Sequence, residues 1–236
     1  MAKKHVDASL RPRGNRAEFF TLNMTSKTVV FDLDDTLAPE IECLKSAFRE
    51  IAQKVDPQNP HLYTLLWNAY QRKDNPFARV RELYPQYTVA NLLQLYRNHS
   101  PNYPENNCKT LLEQLKASGC ILGLITDGYS ISQRNKLKAL GIENIFDLVV
   151  ISEEFGSTKP SVANFEVFHQ FTTDQYYYIG DNPSKDFVSA NALGWQTICV
   201  IDSGNNIHKQ DFTKEFLYLP HKKINTLDEL IAQIFS

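Results

Sequence analysis

Residues 28–37 read TVVFDLDDTL, an apolar run that ends in three aspartates within four positions. The apolar part has the composition of a buried strand, so Asp32, Asp34 and Asp35 stand where that strand leaves the core. In an extended backbone the side chains of Asp32 and Asp34 point to the same side. Two carboxylates ~4 Å apart repel by about 1 kcal/mol in water and by about 4 kcal/mol at an effective dielectric constant of 20. Other parts of the chain must therefore offset this repulsion.

Further runs of strand composition recur along the chain and are separated mostly by helical patterns. The predicted strands are 27–33, 120–126, 148–152, 175–180 and 196–201. One helix runs from Ser130, with a capping-box spacing to Gln133, and ends at Gly141. Others follow Pro160 and Pro183, and a second capping box, at residues 226–229, precedes a final helix. This alternation predicts an α/β fold with a Rossmann-like, doubly wound parallel sheet.

One long segment breaks the alternation. The chain has nine glycines, yet none lies between Gly14 and Gly119, and consecutive helical patterns punctuated by prolines fill most of this interval. We therefore expect an all-helical cap to be inserted after the first strand. The predicted domains are a basic, loosely ordered arm at 1–26, a catalytic core at 27–37 and 105–236, and the cap at 38–104. Met24 offers an alternative start.

Composition limits the classes of partner. The net charge is −2 and the sequence pI is about 6.3, so the charge balance does not favour binding of nucleic acid or of an anionic membrane. The longest apolar runs are of strand length, which is too short to cross a bilayer. The four cysteines are far apart and form no CxxC pair. They predict free buried thiols in a cytoplasmic protein.

Polar residues follow several of the predicted strands, at the point where each strand ends. Because ligands of open α/β sheets bind beyond the carboxyl ends of the strands, these residues should converge at one edge. Such a cluster of carboxylates requires a divalent cation, and oxygen ligands with few histidines favour Mg²⁺ over zinc. The converging residues are Asp32, Asp34, Thr126, Lys159, Asp181 and Asp186.

Four short motifs carry these residues in order: FDLDDT, LIT, the lysine of GSTKP, and GDNPSKD. Together they resemble the motifs of the haloacid dehalogenase-like hydrolase superfamily, in its phosphatase type with a helical cap. The resemblance covers the chain from about residue 27 to its end. One common form of the first motif has glycine where Asp35 stands, and we expect Asp35 to serve in the turn rather than in catalysis.

The resemblance implies a role for each motif residue. Asp32 would be the nucleophile that forms an aspartyl-phosphate, and Asp34 would act as general acid and base. Thr126 would hydrogen-bond the phosphoryl oxygens, and Lys159 would offset negative charge on the nucleophile and the phosphate. The implied Mg²⁺ ligands are Asp32, the backbone carbonyl of Asp34, Asp181 and Asp186.

Structural readings of the same residues stand beside these roles. Asp34 could cap a turn, and Lys159 could be a solvated loop lysine. Asp186 falls in a predicted first helical turn, where the helix dipole favours acids, so direct ligation and a structural role both stay open for it.

The sequence thus predicts a Mg²⁺-dependent phosphomonoester hydrolase that acts on a small soluble phosphorylated metabolite. A phosphomutase of the same fold is the alternative enzyme, and a binding protein that kept the fold without activity is the alternative outside enzymes. Dehalogenation is disfavoured because relatives with that chemistry lack the second acid, which is present here as Asp34. The physiological substrate and the oligomeric state stay open.

Overall fold

The computed structural model describes residues 26–236, so the predicted arm at 1–26 lies outside the described residues except for Ser26. Its centre is one six-stranded parallel sheet with the strand order β3-β2-β1-β4-β5-β6. The predicted doubly wound fold is confirmed. The strands are β1 (Lys27–Phe31), β2 (Ile121–Thr126), β3 (Leu148–Ile151), β4 (Gln175–Gly180), β5 (Gln196–Val200) and β6 (Lys222–Ile224).

The continuous apolar character of β1 follows from its place in the middle of the sheet. Val29 and Phe31 belong to one hydrophobic cluster, whereas Val30 belongs to a second cluster on the other face. All three side chains are fully buried. A strand covered on both faces has no reason to alternate apolar and polar residues, and its carboxyl end opens onto the edge that holds the acids.

Four of the five helices between β1 and β2 make up the helical insertion that the glycine-free segment predicts. They are α1 (Glu40–Val55), α2 (Leu62–Gln71), α3 (Pro76–Leu83) and α4 (Val89–Asn98). Their inner faces form a third hydrophobic cluster, in which Phe48, Ile51 and Leu66 are almost or completely buried. The helical insertion is therefore confirmed, and the domain boundary at 38–104 stays a prediction.

Six further helices flank the sheet in chain order. They are α5 (Cys108–Ala117), α6 (Ser130–Leu140), α7 (Ser152–Phe155), α8 (Ala163–Glu166), α9 (Val188–Ala192) and α10 (Leu230–Phe235). Short 3₁₀ helices lie at Val167–Gln170, Phe216–Tyr218 and Leu227–Glu229. The helices after Pro160 and Pro183 are shorter than the sequence pattern predicts.

The two predicted capping boxes have different outcomes. The box at Thr226 and Glu229 is confirmed, with the Glu229 carboxylate accepting from the Thr226 backbone N–H at 3.1 Å. The box at Ser130 and Gln133 is wrong, because α6 has Tyr129 as its N-cap and no side chain caps it. Gln133 donates instead to the backbone carbonyl of Asp127 at 2.9 Å, which directs this side chain toward the acidic edge of the sheet.

All four cysteines are buried and unpaired, as predicted. Within residues 26–236, every helix is too short or too polar to cross a bilayer.

Candidate active site

The acids predicted to converge do so at the carboxyl edge of the sheet. β1 lies between β2 and β4, so Asp32, which follows β1, is adjacent to Thr126 at the end of β2 and to Asp181 after β4. Asp32, Asp181 and Asp186 each offer a carboxylate oxygen, and these oxygens lie within 4.8 Å of one another. All three residues are buried. We call them the acid triad.

Asp186 is held in the acid triad by the turn that follows β4. Its Oδ2 accepts hydrogen bonds from the backbone N–H groups of Asp181 at 3.1 Å and Asn182 at 2.8 Å. A Cβ on residue 180 would lie 2.6 Å from the same oxygen, so only glycine fits there. The glycine of the fourth motif is thus required by the close approach of Asp186. Asp186 both closes the turn after β4 and faces Asp32 and Asp181.

Lys159 lies directly behind the acid triad. Its ammonium is 2.7 Å from Asp32 Oδ1, 2.7 Å from Asp186 Oδ1, and 3.1 Å from the Tyr178 hydroxyl, to which it donates a hydrogen bond. The side chain has 0% exposure. Lys159 is therefore no solvated loop residue, because it neutralises part of the charge of two buried carboxylates.

The neighbouring acids each have their own compensation. Asp34 pairs with Lys136, whose ammonium lies 2.6 and 2.7 Å from its two carboxylate oxygens. Lys136 is on α6 and its side chain is only 7% exposed. Asp127 pairs with Lys185 at 3.3 Å. These two pairs are close to electrically neutral.

Asp35 serves the turn, as expected. Its carboxylate accepts from the backbone N–H of Glu40 at 2.8 Å, at the start of α1, and from that of Ile207 at 3.1 Å. Its φ of 55° lies in the left-handed region, which glycine adopts most easily. That conformation explains why glycine can stand at this position in related motifs.

The charge balance of the acid triad fits a divalent cation. When all three buried carboxylates are ionised, the one cation that pairs with them within residues 26–236 is the ammonium of Lys159, which leaves a deficit of two positive charges. Burial, then Asp186 and Asp32, raise the pKa of Asp181 to about 9. Asp186 Oδ1 is buried and has the Lys159 ammonium beside it at 2.7 Å. Carboxylate oxygens in this number and charge are the ligands that Mg²⁺ prefers, so the residues present fit that ion.

Two adjoining cavities open at this edge. The first, which we call the phosphoryl cavity, has a volume of about 150 Å³ and is lined by residues that include Asp32, Thr126, Asp181 and Lys185. The second, the insertion cavity, has about 240 Å³ and lies between α1 and α4 on one side and residues 127–136 on the other. Asp34, Glu40 and Asp127 line both, so the two cavities adjoin at these residues.

Sequence reasoning missed several residues of this site. Lys136 reads as an ordinary helical lysine, and only its pairing with Asp34 shows its place. The loop after β5 also contributes, since Asn206 donates to Asp181 Oδ2 at 2.9 Å and Gln210 donates to the backbone carbonyl of Asp181 at 2.7 Å. The loop has no motif in the sequence, and only the register of β5 beside β4 brings it to the acid triad.

Comparisons with known proteins agree with this geometry. The glyceraldehyde 3-phosphate phosphatase of Methanocaldococcus jannaschii is 30% identical over 225 residues, which cover 87% of this chain and 95% of that protein. The phosphoserine phosphatase of Thermus thermophilus is 33% identical over 107 residues, covering 44% of this chain and 42% of that protein. The magnesium-bound HAD-hydrolase YfnB of Bacillus subtilis has the same fold, with a TM-score of 0.66, 22% identity and coverage of 90% and 100% of the two chains.

The family match spans both halves of the core and the helical insertion between them. The family model of haloacid dehalogenase-like hydrolases matches residues 29–200, from within β1 to the end of β5. This range includes all four motifs and the acid triad. The chain therefore belongs to the haloacid dehalogenase-like hydrolase family.

Proposed function

We propose that this phosphatase is Mg²⁺-dependent and hydrolyses a small phosphorylated metabolite through an aspartyl-phosphate, an acyl phosphate formed on its own Asp32. The observation that carries the proposal is the acid triad beside the phosphoryl cavity. When ionised, its three carboxylates exceed the charge of Lys159 by two, and Asp32 lines the cavity into which a phosphoryl group would fit. A carboxylate nucleophile and a phosphate are both anionic, so the reaction needs fixed positive charge at this point.

In the first step, a carboxylate oxygen of Asp32 bonds to phosphorus while the bond from phosphorus to the leaving oxygen breaks. Asp34, in its protonated form, gives its proton to that leaving oxygen and is left as the carboxylate that pairs with Lys136. Lys159 holds the Asp32 carboxylate in place through the 2.7 Å ion pair and offsets its charge. Thr126, buried at the edge of the same cavity, donates its hydroxyl to a phosphoryl oxygen.

In the second step, water attacks phosphorus and Asp34 accepts the proton of that water, which frees Asp32 and releases phosphate. Asp32, Asp181, Asp186 and the backbone carbonyl of Asp34 would hold Mg²⁺, which supplies positive charge against the phosphoryl oxygens when bound. Both steps require Asp34 beside the phosphoryl cavity and the insertion cavity, and it lines both.

The substrate class follows from the size of the site. Cavities of about 150 and 240 Å³ are smaller than those that enclose drug-sized ligands. They suit a phosphoryl group joined to a few carbon atoms, and the relatives named for glyceraldehyde 3-phosphate and phosphoserine support esters of this size. Residues 38–104 would act as a cap that contacts the organic part of the ester and excludes water. The buried free thiols support a cytoplasmic location.

A panel of phosphorylated metabolites tests the proposal. We expect the purified protein to release inorganic phosphate from three- to six-carbon phosphate monoesters in the presence of Mg²⁺, with clear preferences among them. The panel includes sugar phosphates, phosphoglycolate, phosphoserine and nucleoside monophosphates, and a colorimetric assay reads released phosphate. Transfer of the phosphoryl group to a second hydroxyl of the substrate instead of to water would indicate the phosphomutase. No turnover of any ester with Mg²⁺ present would contradict the proposal.

Replacement of Asp34 by asparagine should reduce kcat/KM in proportion to how much the leaving group needs a proton. We expect a loss of about 10²- to 10⁴-fold on an alkyl phosphate and a much smaller loss on an activated aryl phosphate such as 2,4-dinitrophenyl phosphate, whose leaving group is stable as an anion. The measurement is kcat/KM for both esters, because this constant reports the steps up to the first irreversible one.

The pairing of Asp34 with Lys136 calls for a control, because Asp34→Asn leaves a buried ammonium without its carboxylate. The double variant D34N/K136M removes both charges and should recover melting temperature without recovering activity. Equal losses on the alkyl and the aryl ester would remove Asp34 from the proton-transfer step.

A further inference from the structure

Two lysines lie near the acid triad, and their environments differ. Lys159 has carboxylates on two sides and a tyrosine hydroxyl on a third, all within 3.1 Å, and no exposed surface. It is not among the side chains that line the phosphoryl cavity. Asp32 and Asp186 therefore neutralise much of its charge.

Lys185 is placed differently. Its side chain lines the phosphoryl cavity together with Asp32 and Thr126, and 31% of it is exposed. An ammonium can donate three hydrogen bonds. In the described part of the chain, the Lys185 ammonium has one partner, the Asp127 carboxylate, at the rather long distance of 3.3 Å. At least two donors thus remain for a ligand.

The position of Lys185 is fixed by the turn that also fixes Asp186. The backbone N–H groups of Lys185 and Asp186 both donate to the carbonyl of Asn182, at 3.1 and 3.0 Å. The carboxylate of Asp186 holds the beginning of the same turn through two further hydrogen bonds. A lysine on a rigid turn loses less conformational freedom on binding than one on a mobile loop.

The walls of the phosphoryl cavity need such a cation. Apart from Lys185 and the exposed His208, its charged lining side chains in the described chain are all carboxylates: Asp32, Asp34, Asp35, Glu40, Asp127 and Asp181. A phosphate dianion that enters this cavity meets strong repulsion unless positive charge faces it directly. Mg²⁺ at the acid triad would supply this charge from one side, and Lys185 lies on the wall of the same cavity.

We propose that Lys185 binds the phosphoryl group of the substrate directly, as a second cation beside Lys159, which pairs with Asp32. The inference rests on the proposed function and gives the two lysines different roles in it. Lys185 contributes to the affinity for phosphate and for phosphate esters. Lys159 holds and neutralises the nucleophile, and thus contributes mainly to the rate of the chemical step.

The test replaces Lys185 by methionine and uses Lys116→Met as the matched control. Lys116 pairs with Asp147 at 2.6 Å and its side chain is 35% exposed, similar to Lys185, but it lies outside both cavities. For K185M we expect KM for the best ester and Ki for inorganic phosphate to rise by about 10- to 100-fold, the usual effect of losing a hydrogen bond between charged groups. K116M should match the wild type, and K185R, which keeps the charge, should recover most of the affinity.

A readout besides activity separates phosphate binding from damage to the fold. The rise of melting temperature on adding Mg²⁺ should be the same in K185M as in the wild type, since Lys185 is not a metal ligand. Calorimetric titration with inorganic phosphate should then show weaker binding in K185M alone. Unchanged phosphate affinity in K185M would overturn the inference while wild-type turnover leaves the proposed function standing. Failure of the wild type to hydrolyse any ester would overturn both.

Discussion

Asparagine at position 32 should abolish turnover of every phosphate ester, with kcat falling by at least about 10⁴-fold. The amide is uncharged and is a poor nucleophile toward phosphorus, so the covalent intermediate cannot form. The remaining site can still bind a phosphate ester, because Thr126, Lys185 and two acids of the triad are unchanged. We therefore expect the loss in kcat rather than in substrate affinity. Steady-state kinetics on the best ester measures both.

The fold of the Asp32→Asn variant should survive. The backbone N–H of Asp32 keeps its hydrogen bond to the Ile179 carbonyl at 2.8 Å, and Lys159 keeps Asp186 and Tyr178 as partners. Removing one of three crowded carboxylates also lowers their mutual repulsion. Circular dichroism and the melting temperature check this, with the exposed Asp211→Asn variant as control. Near-wild-type activity in a D32N sample shown by mass spectrometry to retain the amide would contradict the covalent mechanism.

The edge of a parallel sheet explains why so much of the site could be predicted. Asp32, Thr126 and Asp181 each end or follow a strand whose apolar run is visible in the sequence, and the carboxyl ends of adjacent parallel strands must meet. The positions of these three residues therefore follow from strand identity alone. Lys159 needed the family resemblance as well, because nothing in its own segment distinguishes it from a solvated loop lysine.

The rest depended on contacts that no local pattern encodes. Lys136 is 102 residues from Asp34 in sequence, and a lysine on a helix usually faces water, so the ion pair had no local signal. Gln133 fitted a capping box, but its amide finds better acceptors at the carbonyl of Asp127 and at Asp34. The strand β6 has the sequence KKI, with two exposed lysines and one buried isoleucine, which is too short and too polar to predict a strand.

Removal of divalent cations should abolish activity and lower the melting temperature, and Mg²⁺ should restore both. Mg²⁺ bound only to the native state at 100 times its dissociation constant adds about 2.7 kcal/mol to the free energy of unfolding. For a chain of this size that corresponds to a rise of roughly 5–10 °C in melting temperature. The measurement is phosphate release and thermal unfolding in excess chelator, then after Mg²⁺ is returned.

The pH dependence of the chelated protein adds a sharper test of the acid triad. Burial and the two neighbouring carboxylates raise the pKa of Asp181 from 3.8 to about 9, so the folded chain without metal keeps a proton that the unfolded chain has lost over that range. The free energy of unfolding should therefore fall as pH rises from about 4 to about 9. Saturating Mg²⁺ favours the ionised carboxylates, so it should flatten this slope.

Asp181→Asn is the matched variant for this experiment. It removes the titrating group and one proposed ligand together, so the chelated variant should show less of the pH slope and gain less melting temperature from Mg²⁺ than the wild type. Its Asn206 and Gln210 contacts involve an oxygen that asparagine keeps and the backbone carbonyl, which limits structural damage. Suppose instead that the wild type is fully active in excess chelator and that Mg²⁺ does not change its melting temperature. The charge of the three carboxylates would then be balanced without a metal. Lys159 and protonation of Asp181 would then be the whole answer to the repulsion at the end of β1.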